Sequence, residues 1–164
     1  VDVVIHPQSS VHAMVEYNDG SVIAQVSTTD MRMPIQYALT YPARERAPVP
    51  RIDWSQARQW EFFPPDLAKF PLLKLACQAQ HTGGSSGCTL NAADEIAVDA
   101  FLREEIGYLQ IAAVVEETLS QVTVREPRSV GEVLEIDRES RETARRMVAR
   151  YASESGQARP LVNA

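Results

Sequence analysis

The apolar positions fall into two regimes. Up to about residue 63 they come in short runs rich in β-branched side chains; from Asp66 onward they recur at helical spacing. Val1, Val3, Val4 and Ile5 predict a buried strand over residues 1–6. Residues 11–17 and 21–27 flank Asn18-Asp19-Gly20-Ser21. Asp-Gly supplies the positive φ angles of a tight turn, so these runs predict a hairpin. Its flanks are apolar on both faces: Met14, Val15 and Tyr17, then Val22, Ile23 and Val26. Such a ribbon is not stable alone and is expected to join a larger sheet, lie under helices or form a subunit interface. Thr28-Thr29-Asp30 predicts a helix start, with Pro34 in the first turn, where its missing N–H costs little. Pro42 ends that helix. Pro42, Pro48 and Pro50, without periodicity, predict a linker over residues 42–53, and residues 59–63 a short strand ended by Pro64-Pro65.

The remainder predicts four helices. Pro71 opens the first, which carries Leu72, Leu73, Leu75, Ala76 and Ala79, and Gly83-Gly84 ends it. Residues 83–88 read as a flexible Gly/Ser loop. Asn91 reads as the cap of the second helix, whose apolar face is Ala93, Ile96, Ala97, Ala100 and Phe101. Gly107 breaks it, and Ile111, Ala112, Val115, Leu119 and Val122 mark the third. Ser129-Val130-Gly131-Glu132 has the spacing of a capping box. It opens the fourth helix, with Val133, Leu134, Ala144, Met147, Val148 and Tyr151. Residues 153–164 form a polar tail expected to fray. The sum is α+β: a small, mostly antiparallel sheet with a flanking helix, then a C-terminal helical bundle whose short connections favour antiparallel neighbours.

Composition narrows the function. At 164 residues, 45% apolar and 23% charged, the chain has the make-up of a globular protein. A net charge of −6 argues against non-specific nucleic-acid binding, which needs a basic face. Cys77 and Cys88 are the only cysteines. Two isolated thiols point to a reducing cytoplasm, while leaving room for one disulfide. No apolar run reaches the ~18 residues of a membrane helix, and no stretch of the sequence reads as a signal peptide. The chain opens in what reads as a mid-domain strand without an initiator methionine, which suggests a cut from a longer polypeptide.

The chemistry-bearing residues cluster early. His6-Pro7-Gln8-Ser9-Ser10-Val11-His12 places two histidines and two serines within seven residues. Histidine serves as acid, base, ligand or hydrogen-bond partner, and the simplest reading packs His6 beneath the turn at Pro7. His6, His12 and Glu16 match no metal-ligand spacing, and Ser9 with His12 on a strand-to-turn segment is a poor nucleophile–base pair. Gly83-Gly84-Ser85-Ser86-Gly87 lacks the lysine-bearing pattern of a phosphate loop, and His81 sits where a helix C-terminus favours positive charge. Asp30-Met31-Arg32-Met33 reads as core contacts with a surface arginine, or as a methionine-lined pocket for a flat ligand.

An ordered series of segments adds a resemblance: Val4-Ile5-His6-Pro7-Gln8-Ser9, His12, Met14-Val15, residues 19–25, Asp30-Met31-Arg32, Pro34-Ile35, Phe70-Pro71, Leu75-Ala76, Leu90-Asn91-Ala92-Ala93 with Glu95, residues 100–102 and Ile106-Gly107. Over residues 1 to about 152 the chain resembles the central and C-terminal part of 1-deoxy-D-xylulose 5-phosphate reductoisomerase. That family converts its substrate to 2-C-methyl-D-erythritol 4-phosphate with NADPH and a divalent metal, magnesium or manganese, in non-mevalonate isoprenoid synthesis.

The resemblance implies that residues 1–41 end a catalytic and dimerisation domain, 42–65 connect, and 66–152 form the C-terminal helical bundle. It implies a cytoplasmic homodimer formed through the N-terminal sheet, a small phosphorylated sugar as substrate, and a missing N-terminal NADPH-binding domain. His12 then matches a histidine of the active-site wall, with Ser9 on the same turn, and Met31 a methionine lining the nicotinamide cavity. The metal ligands and the dinucleotide loop of the family have no counterpart here, so the chain alone is expected to be inactive and to bind no cofactor. Ser10, Thr29 and Asp94 stand where the family commonly has an aliphatic residue, proline and asparagine. A competing reading is a non-catalytic dimerisation or docking module; a metallohydrolase built on His6 and His12 is the weakest.

Overall fold

Strands β1 (Val11–Glu16) and β2 (Val22–Val26) pair antiparallel, as the hairpin pattern predicts. The turn differs in detail. Gly20 takes a positive φ of 82° while Asp19 does not. The Gly20 amide donates to the Tyr17 carbonyl, and Tyr17 donates to Ser21. This is a turn closed by one left-handed glycine, the longer alternative to a two-residue loop. Asp19 serves through its carboxylate, which accepts from the amide and hydroxyl of Ser21. These bonds lower its pKa, the hydroxyl bond most.

The computed structural model describes the backbone of residues 1–157 and side chains through Ser153. It divides into two units, Val1–Pro65 and Asp66–Ala164. In the first, the expected strand over residues 1–6 is absent. Ile5 alone bridges to Phe63, the one rung that also remains of the strand expected over residues 59–63. Val1, Val3, Val4 and Ile5 are exposed, and no apolar residue before Leu75 is buried. A β-branched run becomes a strand only when a partner edge and a covering layer are at hand, and the described residues of this unit offer one bridge. Helix α1 (Arg32–Thr40) follows the hairpin.

The second unit holds the core. Helix α2 (Pro71–Thr82) has its proline at the first turn and ends at Gly83, with φ 73°. Helix α3 is Ser86–Leu102, α4 is Tyr108–Gln121 and α5 is Val130–Gln157. Helix α3 begins earlier than expected. Asn91 lies inside it and donates to Glu95 one turn on, rather than capping.

The Gly/Ser stretch is no slack loop. The Ser85 amide donates to the Arg125 carbonyl at 2.8 Å, and the Arg125 amide donates back to Ser85 Oγ at 2.9 Å. This close approach needs Gly84, whose added Cβ would stand 2.7 Å from the Arg125 carbonyl oxygen. Ser129 accepts from the Glu132 amide as a capping box requires, but the Glu132 carboxylate reaches Arg128 N–H, one residue further back.

Ala92, Ala93, Ala97 and Ala100 of α3 are fully buried, and their small side chains let α4 and α5 approach. Leu75, Ile106, Ile111, Val114, Val115, Ala144, Met147 and Val148 close around them. Helix α5 buries Ile136, Ser140, Ala144, Met147 and Val148, while Val133 and Leu134, expected inward, are exposed. Helix α4 runs antiparallel to α5, joined by Glu117 to Arg150 and Tyr151 and by Gln121 to Met147. Helices α3 and α5 instead run parallel, through Thr89–Ser140 and Glu95–Arg141, because α4 carries the chain back between them. Helix α5 continues through Gln157, so the first residues of the expected tail are helical; residues 158–164 lie outside the described residues.

Candidate functional site

The turn after Ile5 is built from side chains that replace a missing ladder. His6 Nδ1 lies 2.9 Å from the Glu61 carbonyl, and Nε2 accepts from the Ser10 amide at 3.1 Å. A backbone N–H can only donate, so Nε2 is the bare nitrogen and Nδ1 carries the proton. The ring stacks on Phe62, centroids 4.6 Å apart. Gln8 completes the clamp: its amide N–H donates to the Glu61 carboxylate and its oxygen accepts from the Glu61 amide. With both ring nitrogens engaged, His6 is a structural histidine.

That clamp holds Ser9 in the left-handed region, at φ 47°, a conformation that costs a residue with a Cβ about 1 kcal/mol and recurs at functional turns. The Ser9 amide donates to the His6 carbonyl at 3.1 Å, and the Ser9 carbonyl accepts from Thr29 Oγ1 at 2.7 Å. The Thr28-Thr29-Asp30 cluster is thus divided. Only Asp30 serves the helix start, accepting from the Arg32 amide and guanidinium, while Thr28 donates to Pro50 and Thr29 to Ser9. The Arg32 guanidinium bonded to it brings the Asp30 carboxyl down to about 2.

His12 occupies a position the pattern does not reveal. Val11 opposes Val26 and Ala13 opposes Gln25, so His12 is the extra residue of a β-bulge. Bulges gather beside active sites, where they re-aim a side chain. His12 lines a concavity of about 520 Å³ with Asp2, His6, Met14, Glu16 and Phe62. Among the described residues no three His, Cys, Asp or Glu side chains are grouped to hold a metal ion. The donor set does not fit one.

Met31 stands immediately before α1 and is 71% exposed, an apolar side chain without cover. Its neighbour Met33, not Met31, lines the larger concavity of about 1170 Å³ formed with Ser27, Thr28 and residues 45–52. The structure therefore ties Ser9 to Met31's segment through Thr29, places His6 and His12 around one concavity, and leaves Met31 outside both. Sequence reasoning missed Thr29 and Gln8 as parts of this arrangement; the available signals were a polar side chain directly after Pro7 and a threonine hydroxyl just past the end of a strand. Cys77 and Cys88 are free thiols, and burial raises the Cys88 pKa. No helix among the described residues is long and apolar enough to cross a membrane.

A hairpin with a bulged histidine, a flanking helix and a helical bundle define an α+β chain of the kind found at the end of a larger enzyme. The family described as DXP reductoisomerase C-terminal domain matches residues 26–143. The 1-deoxy-D-xylulose 5-phosphate reductoisomerase of Solibacter usitatus is 69% identical over 147 residues, 90% of this chain and 37% of that protein. That of Acidithiobacillus ferrooxidans is 48% identical over 153 residues, 93% of this chain and 39% of the relative. The Zymomonas mobilis enzyme, solved in complex with NADPH, superposes with a TM-score of 0.83 at 44% identity, over 90% of this chain and 39% of that one. A DOX-P reductoisomerase with NADPH, fosmidomycin and magnesium gives 0.79 at 40% identity, over 89% and 38%. The chain belongs to the 1-deoxy-D-xylulose 5-phosphate reductoisomerase family and covers its C-terminal part. It spans well under half the length of these relatives.

Proposed function

We infer that the chain is the C-terminal portion of an enzyme that reduces and isomerises 1-deoxy-D-xylulose 5-phosphate with NADPH and a divalent metal. The observation that carries this is the match at 69% identity over 90% of the chain. In this reading residues 1–41 end the catalytic domain, residues 42–65 connect, and residues 66–152 are the C-terminal helical domain. NADPH supplies hydride when bound. In the complete enzyme the bulged His12 and the left-handed Ser9 would belong to the active-site wall, and the exposed Met31, which lines neither concavity, would stand beside the nicotinamide. Dinucleotide and cation are held by a preceding N-terminal portion, and the free thiols fit a reducing cytoplasm.

The hairpin supports a homodimer. Val15 and Ile23, a cross-strand pair, are 57% and 62% exposed on one face, and Met14 and Val22 are exposed on the other. Apolar surface of that kind marks an interface. The same feature is what a purely structural docking module would show, so activity has to decide. NADPH oxidation is followed with substrate and manganese, for the chain alone and for the chain joined in frame behind the N-terminal portion of the Solibacter usitatus relative. The expected result is no turnover alone and turnover in the chimera. A chimera that folds and dimerises but stays inert would favour the module.

A further inference from the structure

We propose that Thr29 is a positioning residue that couples the Ser9 turn to the segment carrying Met31. The inference rests on the reading above that Ser9 and Met31 face one cofactor. Strand β2 ends at Val26, and the last backbone bond between the two segments runs from the Ser27 amide to the Ser10 carbonyl at 3.0 Å. Past that point the ladder stops, and Thr29 supplies the next rung with its side chain, donating to the Ser9 carbonyl at 2.7 Å. The acceptor belongs to the one residue of this turn in the left-handed region. Thr29 thus holds the peptide of the strained residue from outside, while the His6 carbonyl and ring hold the neighbouring amides from within. Two residues after Thr29 the chain reaches Met31 and enters α1, whose start is fixed by Asp30.

A single hydroxyl therefore sets how far the Ser9 turn stands from the start of α1. A proline at this position would offer no donor and would leave that spacing to the backbone. In this chain the spacing is set by a bond that can be removed without touching Ser9 or Met31. Its loss should loosen the fit of a flat ligand against both residues, a change in binding more than in the chemical step.

Thr29→Val removes the donor at nearly constant volume, and Thr29→Ser keeps it. In the chain itself, Thr29→Val should raise the amide exchange rates of Ser9 and Ser10 about tenfold, and Thr29→Ser should not. In the chimera, Thr29→Val should raise the KM for NADPH about fivefold with kcat within twofold, and Thr29→Ser should restore it. A residue with only a general stabilising role would lower kcat with the folded fraction and leave KM alone. Unchanged exchange, or an unchanged KM in an active chimera, overturns the proposal. An unmodified chimera without turnover overturns the functional reading on which it rests.

Discussion

His6 binds Glu61 through the protonated nitrogen of its ring, at 2.9 Å, while the other nitrogen takes the Ser10 amide. One side chain therefore spans the ends of two segments 55 residues apart that share a single backbone bridge, Ile5 to Phe63. His6→Ala should free them together. The amides of Ile5, Ser10 and Phe63 should each exchange about tenfold faster, and a change confined to Ser10 would show that no shared clamp exists. Nitrogen NMR of the neutral ring should find the proton on Nδ1.

Gly84 and Gly87 sit three residues apart and should respond oppositely to alanine. At Gly84, φ is 52° and the new Cβ would press on the Arg125 carbonyl at 2.7 Å. Strain and overpacking together should cost roughly 3 kcal/mol. At Gly87, inside α3, nothing stands within 4 Å of the new atom, and alanine should stabilise by about 0.5 kcal/mol through its helix propensity. Urea midpoints of the two variants check both signs.

Ser140 and Thr89 bury their hydroxyls against each other between α5 and α3, 3.1 Å apart. Ser140→Ala leaves Thr89 facing an apolar neighbour and should destabilise by about 1–2 kcal/mol. Adding Thr89→Val should recover part of that loss, because a buried pair removed whole costs less than one removed by half. A double-mutant cycle measures the recovery; strict additivity would count against the pair.

Acid should weaken the bundle through two carboxylates. The Arg141 guanidinium, with help from Asn91, lowers the Glu95 pKa, and the Arg150 guanidinium with the Tyr151 hydroxyl lowers that of Glu117. Both groups bind protons less readily folded than unfolded. Their contribution is complete above the ordinary glutamate range and is lost as pH falls through the lowered folded values. Both lie at the surface, so the effect is modest and shrinks in salt. Melting temperatures at pH 7, 5 and 3 should fall, and Glu117→Gln should flatten the curve.

The helical half was legible because its signals are local. Pro71 and Gly83 bound α2 where the pattern places them, and the alanine stripe of α3 is buried as its spacing requires. The start of α3 was not legible. Ser85 and Ser86 resemble loop residues until Arg125, 40 positions away, takes up Ser85. The strand over residues 1–6 was misread for the complementary reason: β-branched composition describes what a strand needs and says nothing of whether a neighbour is present. At the candidate site the histidines and serines stood out by type, but the bulge at His12 and the Thr29 bond depend on cross-strand register, which one sequence does not display.

That extra residue in β1 divides the strand into two stretches of opposite parity. Beyond it, even-numbered residues pair with even-numbered ones, as Met14 with Ala24 and Glu16 with Val22; before it, odd Val11 meets even Val26. The hairpin tip and the serine turn therefore answer to separate alternation patterns along one continuous backbone. An alternation of apolar and polar residues that suits the hairpin tip would therefore land on the wrong face if it were carried past His12 toward Ser9.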